Sequence, residues 1–237
     1  MARLLAALVR HGDYHQLPDT PSAHQPFPLT GEGERQALAA ARELRAAISR
    51  HDWALEPVID SSRMLRAWQT ADIFAGKLAG ATAEDLRIES LDVLAERSVG
   101  CAANLTKGQI EAILHDDPRL AAPPDDWKAD SHYCLPLQGA ESLLEAGQRV
   151  AAHLSQAMAA QPASDRDRLK IFVGHGAAFR HAAYHMGVLA FGQLRQLSMF
   201  HCQPVLLEYL PDGGWRHICL LYTSDAADEG VEGVGGG

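Results

Sequence analysis

Two short segments of the chain place a histidine and a glycine directly after an apolar run. The first segment, LLAALVRHG, ends in Arg10, His11 and Gly12. The second segment, LKIFVGHG, ends in His175 and Gly176. A neutral imidazole is a nucleophile or a base, and an arginine beside it binds an anion in a two-pronged geometry. The two segments therefore indicate chemistry on an anionic group.

The apolar runs must position these side chains. Residues 3–9 and 169–174 are predicted to be strands buried on both faces, as in parallel sheets. Because ligands bind beyond the carboxyl ends of such strands, both histidines are expected at one site. Gly12 and Gly176 would let the backbone approach a ligand closely. The helix expected after Gly176 would offer free N–H groups to an anion.

Strand and helix patterns alternate along the rest of the chain. The remaining strands are predicted at 57–60, at 86–90 and in PVLLEYLPDGGWRHICLL, where PDGG is the turn. The helices are predicted over 31–49, 64–79, 140–160 and from 176 to about 186. This alternation predicts the α/β class, as a three-layer α/β/α sandwich with a mostly parallel central sheet.

Two segments have no clear periodicity. Residues 13–30 contain four prolines and are predicted to be a loop. Residues 97–137 are rich in proline and aspartate and are predicted to be an insertion or lid with a short helix near 106–115. Residues 1–218 then form one catalytic domain.

Composition excludes several classes of partner. The formal net charge of -9 and the lack of a basic stripe exclude nucleic acid. No apolar run approaches the roughly 18 residues of a membrane helix, so no membrane partner is expected. The four cysteines form no CxxC pair, which is typical of reduced thiols in a cytoplasmic protein. A homodimer stays open.

Two further motifs carry candidate functional groups. The first, SSRMLRAWQTA, follows a predicted strand and places Arg66 at the start of a helix, with Arg63 as a competing cation. The second, LAERSVG, places Glu96 after an apolar stretch. Together with LVRHG and VGHGAAFR, these motifs resemble the histidine phosphatase superfamily, which includes the cofactor-dependent phosphoglycerate mutases. The resemblance covers roughly residues 3–220. One departure is Arg63, where the family often has proline.

The resemblance implies a role for each motif residue. Arg10 and Arg66 would hold the dianionic phosphate, with His175 as a third donor. His11 would attack phosphorus in line through one ring nitrogen and form a phosphohistidine. A hydrogen bond from its other nitrogen to a backbone carbonyl would fix the reactive tautomer.

The acidic motif would complete the reaction. Glu96 would protonate the leaving alkoxide and then act as the base that activates water. Arg97, directly after it, matches the mutase pattern and is a candidate substrate-binding residue. No metal and no cofactor is expected, and the expected partner is a small phosphorylated substrate.

Three functions fit this machinery. The mutases carry an asparagine and a Gly-Trp pair in the loop after the first histidine, and an asparagine two residues beyond the second. In this chain the loop after His11 is DYHQLPDTPSAHQPFP, which has neither the asparagine nor the Gly-Trp pair. Two residues beyond His175 the chain has Ala177 instead of asparagine. We therefore interpret the chain as a phosphomonoester hydrolase acting on a small metabolite or a phosphoprotein. The alternatives are a phosphoglycerate mutase-type phosphotransferase and a catalytically silent phosphate-binding module.

His181 and His185 raise a separate possibility. They are four residues apart in a predicted helix, which is a spacing that zinc sites use. Because no carboxylate or cysteine accompanies them in the motif, we interpret them as helix-surface or supporting histidines.

The end of the chain has an unusual composition. CLLYTSDAADE can be written in codons that match the end of a transposon-based sequencing-library adapter, and GVEGVGGG after it has low complexity. We interpret residues 219–237 as an adapter-derived, disordered tail. No functional residue is expected beyond Thr223.

Overall fold

A seven-stranded sheet organises the chain. The computed structural model describes residues 2–21, 24–82 and 84–218, so the predicted tail over 219–237 lies outside the described residues. The strands are β1 (Leu4–Arg10), β2 (Ala54–Leu55), β3 (Val58–Ser62), β4 (Arg87–Leu91), β5 (Arg168–Gly174), β6 (Val205–Tyr209) and β7 (Trp215–Ile218). The helices are α1 (Gly31–His51), α2 (Leu65–Leu78), α3 (Lys107–Asp116), α4 (Leu143–Ala159) and α5 (Gly176–His185). Within the described ranges, no helix is both long enough and apolar enough to cross a bilayer.

The strand order is β4-β3-β5-β1-β6-β7, with β2 pairing to β5 beside β3. Strands β4, β3, β5 and β1 run parallel, whereas β6 and β7 continue the sheet in antiparallel fashion. The prediction of a mostly parallel sheet is confirmed. The two residues of β2 were not predicted, because so short a strand shows no periodicity.

Side chains of the central strands alternate between two apolar layers. In β1, Leu5, Ala7 and Val9 belong to the core cluster that contains α1 and α2. Ala6 and Leu8 point to the other face and pack with α4 and α5. Alternation of this kind follows from the two-residue repeat of a strand. It makes β1 buried on both faces and confirms the three-layer α/β/α arrangement.

Residues 97–137, called the cap segment below, fold around an apolar cluster of their own. Trp127 is completely buried there, with Ile110 and Leu114 of α3. The side chain of Thr106 caps α3 and forms a capping box with Gln109, which satisfies two backbone N–H groups. The cap segment thus has a local core rather than being an extended loop.

Helices α4 and α5 make direct backbone contact. A Cβ atom placed on Gly147 of α4 would lie 2.4 Å from Cβ of His181 in α5. Only glycine permits this approach, since any side chain at position 147 would push the two helices apart. The contact therefore fixes the position of α5, whose first residue follows His175.

We expect Gly147→Ala to destabilise the protein by about 1–3 kcal/mol, because a methyl group would overpack the α4–α5 contact. Gly76→Ala is the matched control: Gly76 lies in α2, and a methyl group added there would meet no atom within 4 Å. This change should be neutral or stabilising by up to about 1 kcal/mol. Urea unfolding measures both values. Equal effects of the two substitutions would contradict the role assigned to Gly147.

Candidate active site

Strands β1 and β5 bring the two histidine motifs together. Arg10 is paired with Gly174 in the parallel register, and the next residue, His11, donates its backbone N–H to Gly174 O at 3.0 Å. The ring centroids of His11 and His175 are 5.1 Å apart. Both side chains are almost completely buried. The structure thus places the two histidines side by side at the carboxyl edge of the sheet.

The guanidinium of Arg66 lies between the two imidazole rings. Its Nε is 3.2 Å from Nε2 of His11, and its Nη2 is 3.3 Å from Nδ1 of His175. Nη1 donates to the backbone carbonyl of Gln25 at 2.8 Å. Because a guanidinium can only donate hydrogen bonds, the two ring nitrogens that face Arg66 must be acceptors.

These contacts determine the tautomer of each ring. Nδ1 of His11 is 2.8 Å from Gly12 O, so Nδ1 carries the proton and Nε2 keeps its lone pair. In His175, Nε2 donates to Ser62 Oγ at 2.9 Å and Nδ1 is the acceptor. Burial, and then the charge of Arg66, hold the pKa of both histidines well below the ordinary value. Both rings are therefore neutral at pH 7.

Arg66 is oriented by α2 and by the loop after β1. Thr70, one turn further along α2, donates from Oγ1 to Arg66 O at 2.8 Å and accepts the Gly12 N–H at 3.1 Å. The ring of Tyr14 lies 4.4 Å from the guanidinium carbon, which is a cation–π contact. Neither Thr70 nor Tyr14 was predicted as a site residue, although Thr70 belongs to the motif that carries Arg66.

Arg63 and Arg66 are the two candidate cations of this motif. Arg63 lies on the surface, where Nη1 pairs with Asp92 at 3.0 Å. Arg66 has no exposure to solvent and lies within reach of both histidines. The structure therefore brings Arg66, not Arg63, into the candidate site.

Glu96 and Arg97 follow a short 3-10 helix, Asp92–Leu94, which comes directly after β4. One carboxylate oxygen of Glu96 accepts the Arg97 N–H at 2.8 Å, and the other is 3.4 Å from the Ala177 N–H in the first turn of α5. The carboxylate thus lies at the N-terminal end of α5, close to the second histidine motif.

A salt bridge between Arg149 and Glu141 holds this acidic segment in place. Arg149 of α4 donates to the carbonyls of Val93, Ala95 and Glu96 at 2.7–3.1 Å. Glu141 accepts two hydrogen bonds from the same guanidinium. Ser142, not Glu141, caps α4, and the Glu141 carboxylate orients Arg149 instead. The sequence gives no signal for Arg149, because its other partners are backbone carbonyls distant in the chain.

Gly12 and Gly176 were expected to let the backbone approach a ligand. A Cβ on Gly12 would lie 2.6 Å from Gly33 O in α1, so Gly12 permits helix packing behind the site. Gly176 lines the cavity, and a Cβ there would lie 3.1 Å from Cδ of Arg10. Its lack of a side chain leaves room for Arg10, which donates to Met199 O at 2.8 Å.

A cavity of about 640 Å³ opens above His11. Glu96 is the one acidic side chain among its described lining residues. The cationic side chains that line it are Arg10, Arg97, Lys128, Arg180 and Arg195. In a chain with a net charge of -9, this local excess of positive charge favours an anionic ligand.

Arg97 is the most deeply buried of these lining cations. It is 6% exposed, and its guanidinium carbon lies 5.8 Å from the ring centroid of Trp127. Burial lowers the pKa of Arg97. Its side chain makes no hydrogen bond to any residue that the structure describes, so its donors are available to a ligand.

His181 and His185 bind different partners. His181 lies 3.0 Å from Ser131 Oγ, whereas His185 lies 2.9 Å from Leu144 O. Among the described residues, no group of three or more histidine, cysteine, aspartate and glutamate side chains could hold a metal ion.

The fold and the site agree with a comparison against protein-family models. Residues 6–219 match the model of the histidine phosphatase superfamily, branch 1. The chain therefore belongs to the histidine phosphatase superfamily, and the family suggested by its motifs is confirmed.

Solved structures of similar fold include three with named activities. A structure called mycobacterial hydrolase 1 is 21% identical with a TM-score of 0.67, covering 92% of this chain and 97% of that one. A mycobacterial glucosyl-3-phosphoglycerate phosphatase is 21% identical with a TM-score of 0.65, covering 92% and 97%. The α-ribazole phosphatase of Shigella flexneri is 18% identical with a TM-score of 0.65, covering 91% and 95%. At these identities the likeness concerns the fold. A comparison with curated protein sequences gave no match.

The lowered pKa values of His11 and His175 predict a pH dependence of stability. Below the ordinary histidine pKa of 6.5, the unfolded chain binds more protons than the folded chain. The stabilisation from the two neutral rings is thus fully present above that pH and is lost as the pH falls from 6.5 towards their folded pKa. Nitrogen-15 NMR should show both rings still neutral at about pH 6. Rings that titrate with the ordinary pKa would contradict the arrangement around Arg66.

Proposed function

We propose that the chain is a phosphomonoester hydrolase that acts through a phosphohistidine on His11. The observation that carries the proposal is the neutral, buried His11, whose Nε2 lone pair faces Arg66 at the base of a cationic cavity. A phosphomonoester is a dianion, and nucleophiles reach it only when cations neutralise its charge. The site supplies a nucleophile and those cations together.

In the first half of the reaction, the phosphate of the substrate replaces the contact between Arg66 and His11. Arg66 and Arg10 then donate to its oxygens. The Nε2 lone pair of His11 forms a bond to phosphorus, and the bond from phosphorus to the ester oxygen breaks. The hydrogen bond from Nδ1 of His11 to Gly12 O keeps the ring oriented throughout.

His175 assists as a donor after it takes up a proton. In the ligand-free arrangement its Nδ1 is an acceptor, because Nε2 donates to Ser62. A phosphate dianion beside the ring favours the imidazolium, which donates from Nδ1 as well. The buried ring thus gains its proton only when the anion that stabilises the added charge is present.

Glu96 transfers the proton that the leaving group requires. It protonates the ester oxygen as the alcohol leaves, and then takes a proton from the water that attacks the phosphohistidine. The nitrogen–phosphorus bond breaks, its electron pair returns to Nε2, and inorganic phosphate is released. Arginine, histidine and glutamate side chains balance every charge that develops in these reaction steps. The proposed mechanism therefore uses no metal and no cofactor.

A phosphotransferase of the mutase type is the second candidate, because Arg97 offers donors for a second anionic group in the same cavity. Incubation with a phosphoglycerate separates the candidates: the hydrolase releases inorganic phosphate, and the mutase releases an isomer. A silent phosphate-binding module would turn over neither phosphoglycerate nor an aryl phosphate.

Replacement of the nucleophile should abolish turnover. We expect His11→Ala to lower kcat for 4-nitrophenyl phosphate by at least about 1,000-fold, as for other catalytic nucleophiles. Phosphorus-31 NMR under alkaline conditions should detect a phosphohistidine in the wild type and none in the variant. His115→Ala, at a surface position, is the control that keeps full activity. Activity of His11→Ala above about one hundredth of wild type would contradict this assignment.

The role of Glu96 predicts a dependence on the leaving group. We expect Glu96→Gln to lower kcat for propyl phosphate by about 100-fold or more, because its alkoxide needs a proton. The loss for 4-nitrophenyl phosphate should be less than about tenfold, since an acidic phenol leaves unprotonated. Steady-state kinetics on both substrates measure the two losses. Equal losses would mean that another group, such as Asp13, donates the proton.

A further inference from the structure

Ser131 and His181 meet in the wall of the cavity, and the proposed reaction uses neither of them. Ser131 belongs to the cap segment and His181 to α5, and both line the cavity although they are at most 5% exposed. Ser131 Oγ lies 3.0 Å from Nε2 of His181. This hydrogen bond joins the cap segment to α5 in the wall of the cavity.

The direction of this hydrogen bond follows from the other ring nitrogen. Nδ1 of His181 lies 2.8 Å from Ala177 O, and a carbonyl can only accept, so Nδ1 carries the proton. Burial, together with the positive charges of Arg180 and Arg97, lowers the pKa of His181, which keeps the ring neutral. Nε2 is therefore an acceptor, and the hydroxyl proton of Ser131 is committed to it.

Both partners are held rigidly by the backbone. His181 packs against Gly147, where no side chain separates α4 from α5. The carbonyl of Ser131 accepts the backbone N–H of Leu144, in the first turn of α4, at 3.1 Å. Ser131 Oγ thus presents its lone pairs from a fixed position, and it offers no proton to a ligand.

The remaining lining side chains limit what can bind to this oxygen. A ligand group at Ser131 must donate a hydrogen bond, which an ionised carboxylate or phosphate cannot do. A cationic amine is disfavoured by the five cationic side chains of the same cavity. A neutral hydroxyl group satisfies both conditions.

We propose that Ser131, oriented by His181, binds a hydroxyl group on the alcohol portion of the substrate. The substrate class is then a phosphorylated polyhydroxy compound, such as a polyol or sugar phosphate. This inference rests on the proposed hydrolase function and adds to it a specificity-determining pair. A site built to accept from a hydroxyl group discriminates against the analogue that lacks it.

Two matched pairs of substrates test the proposal: glycerol 3-phosphate with propyl phosphate, and glycerol 2-phosphate with isopropyl phosphate. In the full-length wild type, kcat/KM should favour the hydroxylated member of at least one pair by tenfold or more. Ser131→Ala should lower that ratio about tenfold, which corresponds to the loss of one hydrogen bond, while kcat/KM for the deoxygenated member stays within about twofold. His181→Phe keeps an aromatic ring but removes the acceptor, and should lower the ratio in the same direction.

Ser198→Ala is the control, because Ser198 is an exposed serine that lines the same cavity. Its substrate ratios should equal those of the wild type. The proposal is overturned if the wild type shows no preference in either pair, or if Ser131→Ala and His181→Phe leave the ratio unchanged or lower both members equally. If the wild type hydrolyses no phosphomonoester at all, the proposed function itself is wrong and this inference is lost with it.

Discussion

The arrangement of the site depends on one buried positive charge. Arg66 has no exposure to solvent, and an unpaired charge in such a place costs several kcal/mol. The carbonyl of Gln25, the two imidazole lone pairs and the ring of Tyr14 compensate for that cost. Because the imidazoles can do so only while they are neutral, the same charge that is proposed to bind phosphate also keeps His11, the proposed nucleophile, neutral.

The sheet topology makes this arrangement possible. Strands β3, β5 and β1 are neighbours and run parallel, so their carboxyl ends meet at one edge. The segment after β1 contributes His11, the segment after β5 contributes His175, and α2 after β3 contributes Arg66. Three parts of the chain that are far apart in sequence therefore reach one another without any long loop.

The residues that could be predicted from the sequence are those at strand ends. His11 and His175 follow buried apolar runs, and a parallel sheet places such ends together. The motif resemblance favours Arg66 over Arg63, and the structure supplies the physical reason: Arg66 faces both histidines, whereas Arg63 lies at the surface. Thr70 and Arg149 could not be found from the sequence, since most of their contacts are with backbone atoms that only the fold brings near. The local core of the cap segment was missed for a related reason: its apolar residues come from irregular stretches without a repeat.

The local core of the cap segment separates two kinds of evolutionary constraint. The residues proposed to bind phosphate come from the sandwich, whose close packing tolerates little change. Lys128 and Ser131 come from a segment that is held together by Trp127 and its neighbours. Mutations in the cap segment can therefore accumulate without disturbing the sheet, and insertions there can reshape the cavity wall. In such an architecture, the ligand preference can change while the residues proposed to carry the chemistry stay the same.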